Sequence, residues 1–115
     1  MKVYSETRPW GEFHVLDEGN GFKVKRIVVN PSGRLSLQSH KQRAEHWVVT
    51  KGEATVTVDD DVSVHRSGNY IFIPLGAKHR LENISQETVE IVEVQCGSYL
   101  GEDDIVRYED IYSRA

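Results

Sequence analysis

A single cysteine, Cys96, stands in a chain of 115 residues. One thiol closes no internal disulfide and builds no Cys-rich zinc site. Long apolar runs are missing as well. Stretches such as "IFIPL" (71–75) fall far below a membrane span. The opening "MKVYSETRPWGEF" has no apolar segment of the kind a secretory signal needs. Basic excess is also lacking: 14 Lys and Arg face 18 Asp and Glu, for a net charge of −4. That balance argues against a nucleic-acid-binding surface. It leaves room for a phosphorylated small molecule, which two or three well-placed cations can hold. The expectation is a cytoplasmic protein with no nucleic-acid and no membrane partner. Linkers, low-complexity tracts and internal repeats are absent, and residues 1–115 suit one domain with one core.

What the sequence does contain is strand pattern. "FKVKRIVV" (22–29), "RLSLQSH" (34–40), "EHWVVT" (45–50), "EATVTVD" (53–59), "NYIFIP" (69–74) and "TVEIVEVQ" (88–95) are rich in Val, Ile, Thr and aromatics, and several alternate with period two. Turn residues separate them, including "NPSG" (30–33), "DDD" (59–61) and "PLGAK" (74–78). Short strands at this spacing predict an all-β sandwich or barrel, with no room for crossover helices. In the tail, Ile105, Tyr108, Ile111 and Tyr112 recur at helical spacing, so 100–114 is expected to form a short amphipathic helix. Asp103 and Asp104 would favour its N-terminal dipole.

Chemistry-bearing residues crowd into "QSHKQRAEHW" (38–47). Period two places Ser36, Gln38 and His40 on one face of a strand, and Glu45, Trp47 and Val49 on one face of the next. If both faces look inward, an amide, an imidazole and a carboxylate converge. A further imidazole is available from "GNYIFIPLGAKHRLEN" (68–83), where Pro74 and Gly76 turn the chain just before His79.

These two stretches resemble the paired motifs of the cupin superfamily, small jelly-roll barrels with a metal at the centre. The first has the form G-x5-H-x-H-x3–4-E-x6-G. Gln38 stands at its first histidine, His40 at its second, Glu45 at its glutamate and Gly52 at its closing glycine, while Gly33 is one residue closer than the pattern asks. The second, G-x5-P-x-G-x2-H-x3-N, is matched by Gly68, Pro74, Gly76, His79 and Asn83. The likeness narrows further. "RPWG" (8–11), "LSLQ" (35–38), "RAEHWVV" (43–49), "IPLGAKHRLEN" (73–83) and "GSYLGEDDIVRYED" (97–110) are similar to type II mannose-6-phosphate isomerase, usually the C-terminal part of a bifunctional protein with mannose-1-phosphate guanylyltransferase. The resemblance implies a cupin jelly-roll β-barrel binding one divalent metal ion (Zn, Mn, Fe, Co or Ni) through Gln38, His40, Glu45 and His79. It implies interconversion of mannose 6-phosphate and fructose 6-phosphate, with no guanylyltransferase activity expected of the chain. Lys41 and Gln42 replace two histidines common in that family. A non-catalytic sugar-binding cupin and another metal-dependent cupin enzyme are the alternative readings.

Glu45 and Glu93 are the candidate catalytic bases, with His46 weaker because it alternates out of phase with Glu45. Trp47 is expected to line the barrel. Arg26 shares its parity with Phe22, Val24 and Val28, so it is expected to point inward and grip a sugar phosphate, or to pair with a carboxylate. Arg8 and Arg43 are further phosphate candidates. Lys23 and Lys25 fall on the opposite face, as solvent charges, and Arg80 is placed outside. A homodimer is expected, through a sheet face or through addition of "WGEFHVL" (10–16) to a partner's sheet.

Overall fold

The computed structural model describes residues 3–112 and consists of strands and connecting turns, with no helix among those residues. In chain order the strands are β1 (Tyr4–Arg8), β2 (Gly11–Gly19), β3 (Phe22–Val29), β4 (Leu37–Ser39), β5 (Arg43–Lys51), β6 (Glu53–Val58), β7 (Asp61–Arg66), β8 (Tyr70–Ile73), β9 (His79–Glu82), β10 (Val89–Gly97) and β11 (Val106–Glu109). They form two antiparallel sheets. One has six strands in the order β1-β2-β3-β10-β5-β8, and the other has five in the order β11-β4-β9-β6-β7. The all-β architecture expected from the turn spacing is therefore present.

Each sheet turns one side inward, as period two dictates. Val15, Ile27, Val29, Val49 and Ile91 from the larger sheet meet Val56 and Leu81 from the smaller one, all nearly or fully buried. Each such side chain stabilises the fold by about 1.5–3 kcal/mol relative to exposure. The β5–β6 hairpin turns on Gly52, whose φ of +79° suits glycine, and a Cβ there would lie 2.5 Å from the Thr88 carbonyl oxygen.

Two expectations need correction. The tail is not a helix: residues 106–109 form strand β11 on the edge of the smaller sheet, paired with β4 through Val106↔Ser39 and Arg107↔Gln38. Residues 113 and 114 of the expected helix lie outside the described residues. An open edge at β4 offered backbone partners, and tertiary pairing overrode a weak helical period. The second correction concerns β3. Lys23, Lys25, Ile27 and Val29 are the buried set, and Arg26 is exposed. Both faces of this strand carry apolar residues, so periodicity tells which residues share a face and not which face is inside. The segment 10–16 lies mainly in β2, hydrogen-bonded on both sides to β1 and β3; the free edge belongs to β1.

Candidate active site

Strand β5 sends Arg43, Glu45, Trp47 and Val49 inward. Across the barrel, Gln38 of β4 lies opposite His79 of β9. His79 owes its position to the turn 74–77. The Ala77 amide donates to the Pro74 carbonyl at 3.1 Å, Gly76 takes the positive φ of +83° that a type II turn demands at its third residue, and the Gly76 amide donates to the His40 carbonyl at 3.0 Å. One turn thereby ties the two histidine-bearing segments together. Asn83 has a different job. Its buried amide donates to the carbonyls of Val29 and Glu87 and its oxygen accepts from Ser85, so it fastens the loop after β9.

His40, Glu45 and His79 are all buried, and one potential ligand atom from each lies within 4.8 Å of the others. Nε2 of His40 is 3.2 Å from Glu45 Oε2, and Nε2 of His79 is 3.9 Å from Glu45 Oε1. The Nδ1 atoms face backbone carbonyls, that of Asp104 at 2.6 Å for His40 and that of Ala77 at 3.1 Å for His79. With Nδ1–H donating to those carbonyls, each ring presents the Nε2 lone pair to the cluster. Burial lowers the His40 pKa; Glu45 and the Asp104 carbonyl pull it up, while Arg43 and His79 reinforce the depression. Two imidazoles and a buried carboxylate form a donor set that fits a divalent transition metal. The Gln38 amide nitrogen donates to Ser36 Oγ at 3.1 Å, and no donor among the described residues engages its oxygen.

Glu45 is gripped from both sides. Trp47 Nε1 donates to Oε1 at 2.9 Å, Arg43 Nε donates to Oε2 at 2.9 Å, and Arg43 Nη2 lies 2.9 Å from Oε2 as an ion pair while it bonds His40 Nε2 at 3.2 Å. Burial by itself would raise this carboxyl. The positive potential of His79, Arg43 and His40 outweighs it and pulls the pKa down to about 2. Glu93 on the adjacent strand goes the other way. Burial and the Glu45 charge push it up to about 8, and it is hydrogen-bonded to Glu45. Gln95, fully buried beside it, donates to Glu93 Oε1.

A cavity of about 210 Å³ opens over this cluster. Its apolar walls include Trp10, Phe13, Ile27, Leu35 and Leu81, and its polar wall includes Gln38, His40, Glu45, His79 and Glu93. Of the expected phosphate-binding residues, Arg8 and Arg43 line it, but Arg43 is committed to Glu45 and His40. Arg26 does not; it points to the outer face and lies 3.6 Å from Glu90. Its place is taken by Lys25, the inward neighbour that parity alone had assigned to solvent. His46 stays on the outer face, hydrogen-bonded to Tyr70. Arg80 also lies off the cavity, buried against the Leu35 carbonyl and Glu109. Sequence reasoning missed Glu102, Ile105 and Arg107 as cavity residues, because a helix was expected where they lie.

Residues 1–110 match the family described as Mannose-6-phosphate isomerase C-terminal. The chain belongs to this family. Among curated relatives of this mannose-6-phosphate isomerase C-terminal domain, it is 53% identical to the xanthan biosynthesis protein XanB of Xanthomonas campestris over 98% of its own length and 24% of that protein. It is 51% identical to the alginate biosynthesis protein AlgA of Pseudomonas aeruginosa, covering 93% of this chain and 22% of that one. It is 50% identical to the mannose-1-phosphate guanylyltransferase of Escherichia coli, covering 98% and 24%. The chain thus spans about a quarter of these relatives. Among solved structures it superposes on a cupin-2 domain from Rhodospirillum rubrum with a TM-score of 0.73 at 21% identity, covering 89% of this chain and 78% of that one. An oxalate decarboxylase variant from Bacillus subtilis superposes with a TM-score of 0.78 at 17% identity, covering 91% and 30%. These likenesses establish the cupin jelly roll. Lys41 and Gln42, which by the resemblance stand where histidines were expected, are exposed and do not line the cavity. Their backbone amides donate to the Asp104 carboxylate.

Proposed function

We propose that this domain is a metal-dependent aldose–ketose isomerase interconverting mannose 6-phosphate and fructose 6-phosphate. One observation carries the reading: the buried His40–Glu45–His79 cluster opens onto the cavity that also holds Glu93. A divalent ion held by His40, Glu45 and His79, with Gln38 beside them, would polarise the substrate's carbonyl and hydroxyl oxygens.

The reaction removes a proton from C2 of the aldose and places one on C1, while the C2 hydroxyl proton is lost and the C1 oxygen regains one. It needs a carboxyl that exists in both protonation states near neutrality. Glu93 meets that need, since burial and Glu45 push it up to about 8. Glu45 stays ionised under Arg43 and Trp47 and accepts the hydrogen bond that orients Glu93. Trp10, Phe13 and Leu81 give the reacting carbons an apolar wall, which limits access of water. The exposure of Lys41 and Gln42 favours this reading over a non-catalytic sugar-binding cupin, because the departures from the family lie off the cavity.

The test is a coupled assay with mannose 6-phosphate on metal-loaded and chelator-treated protein. Turnover that disappears with the metal and returns on reloading is expected. Sugar-phosphate binding without turnover by loaded protein would replace the isomerase with a binding module.

A further inference from the structure

The mouth of the cavity is charged out of proportion to its size. Besides the Arg43–Glu45 pair and Glu93, the charged residues lining it are Arg8 from β1, Lys25 from β3, Arg107 from β11 and Glu102. Arg8 and Lys25 flank the same Phe13 ring, with the guanidinium carbon 5.1 Å and Nζ 4.4 Å from its centroid. Arg107 is exposed and forms no ion pair among the described residues. Lys25 is almost fully buried, and its ammonium reaches Glu102 Oε1 at 2.7 Å. Lys23 lies 3.4 Å from the other carboxylate oxygen and donates to the Leu100 carbonyl at 2.8 Å.

With Lys23 and the Glu6 that lies 3.2 Å from Arg8 included, four cations and two carboxylates leave two positive charges over. A phosphomonoester at neutral pH carries nearly two negative charges and three acceptor oxygens. Two guanidinium forks and an ammonium are the donors such a group uses. Glu102 sits on the β10–β11 loop, which has other fastenings: the Leu100 carbonyl accepts from Lys23, and the Asp104 carboxylate accepts from the amides of Lys41 and Gln42. The loop can therefore stay docked while the Glu102 side chain, about two-fifths exposed, leaves.

We propose that Glu102 is a displaceable counterion holding the place of a phosphomonoester: the phosphate of the ligand takes over Lys25, with Arg8 and Arg107 completing the grip. That the phosphate belongs to a sugar rests on the isomerase reading above; the subsite rests on the charge arrangement alone. A carboxylate that only fastened the loop would aid binding. A displaceable one opposes it, so the two roles predict opposite signs.

Calorimetric titration of chelator-treated protein with inorganic phosphate, mannose 6-phosphate and mannose separates them. Glu102→Gln is expected to bind both phosphates about threefold tighter or more, because the competing charge is gone. Lys25→Met keeps the stem against Phe13 and is expected to bind mannose 6-phosphate about tenfold more weakly or worse. Mannose should be unaffected in both. Arg107→Gln, at an exposed position, gives the same direction as Lys25→Met should the latter fail to fold. Weaker or unchanged phosphate binding by Glu102→Gln overturns the displaceable counterion. Equal phosphate affinity in wild type, Lys25→Met and Arg107→Gln overturns the subsite, as does a lack of phosphate binding by both wild type and Glu102→Gln. The isomerase assay reads separately. Phosphate binding that follows these signs in a protein without turnover upholds the subsite and removes the isomerase. Turnover whose KM ignores Lys25→Met and Arg107→Gln does the reverse.

Discussion

Glu93 and Glu45, on adjacent strands β10 and β5, share a hydrogen bond in the barrel interior, and one carboxyl is pushed up while the other is pulled down. Two like charges this close cannot both ionise easily in a buried site. Arg43 and Trp47 attach to Glu45 and not to Glu93, which decides where the negative charge stays.

The Glu93 proton makes stability depend on pH. Its folded pKa, about 8, lies above the unfolded carboxyl value, so its contribution is fully present below about pH 4.5 and is lost as pH rises through 8. Chelator-treated wild type should therefore melt at progressively lower temperature from pH 5 to pH 8.5. Glu93→Gln, which needs no proton, should flatten that slope and reduce turnover of the loaded protein by about 10²-fold or more. An unchanged slope in the variant would assign the pH dependence elsewhere.

Metal content tests the ligand set. His79→Ala removes one of three converging donors, and the other two leave a divalent ion with an incomplete protein shell. Elemental analysis after loading and desalting should find near-stoichiometric metal in wild type and little in the variant. A full complement in His79→Ala would exclude His79 as a ligand.

Asp104 steadies His40 from a distance. Its carbonyl accepts from His40 Nδ1 and its carboxylate from the amides of Lys41 and Gln42, each at 3.0 Å. Asp104→Ala should lose about 1–3 kcal/mol in denaturant unfolding. It should also weaken metal binding about tenfold, the lower end for a partner that orients a ligand. Loss of stability with unchanged metal affinity would make the clamp purely structural.

Glu102 shapes the acid side of the stability curve. Burial alone would raise it, but Lys25, and then Arg43 and Lys23, lower it on balance. A lowered carboxyl contributes stability that is present above about pH 4.5 and lost as pH falls through its folded value. Glu102→Gln should show a shallower decline below pH 4.5, read from melting temperatures between pH 3 and 5. A decline as steep as that of wild type would show that the ion pair adds nothing.

The outer face of the larger sheet carries two cross-strand rows: Val24–Val94–His46–Phe72 and Arg26–Val92–Val48–Tyr70. Val48, Tyr70 and Phe72 are exposed, and Arg26 pairs with Glu90 at the margin. We propose that this exposed apolar face is where a second copy of the chain pairs. Light scattering at micromolar concentration should give a dimer mass for wild type and a monomer mass for Phe72→Lys. A monomeric wild type would end this expectation.

His40, Glu45 and His79 were legible in the sequence because motif spacing and strand parity fix them together, and His46 was placed correctly by the same parity. Lys25 was not legible. On β3, Val24 and Val28 compete with Ile27 and Val29 for the inward face, and only Phe13 on β2 and Glu102 in the distant loop decide the contest. The tail failed for a related reason. Ile105 and Tyr108 have helical spacing, but Val106 and Arg107 pair with residues of β4 about 67 positions earlier in the chain, beyond the reach of a local pattern. Strand β7 went unseen because all its residues but His65 are exposed, so burial wrote no alternation into it.

The bond from His40 to Asp104 joins residues 64 positions apart, and Lys25 to Glu102 joins residues 77 apart. Contacts of such long sequence separation carry a high loop-closure cost and tend to form late in folding. The hairpins β1–β2 and β6–β7, closed by short turns, have no such delay. During refolding the chain should thus form these hairpins before it acquires a His40 ring locked toward Glu45. Competence to capture a metal becomes a clock for the final docking of the β10–β11 loop.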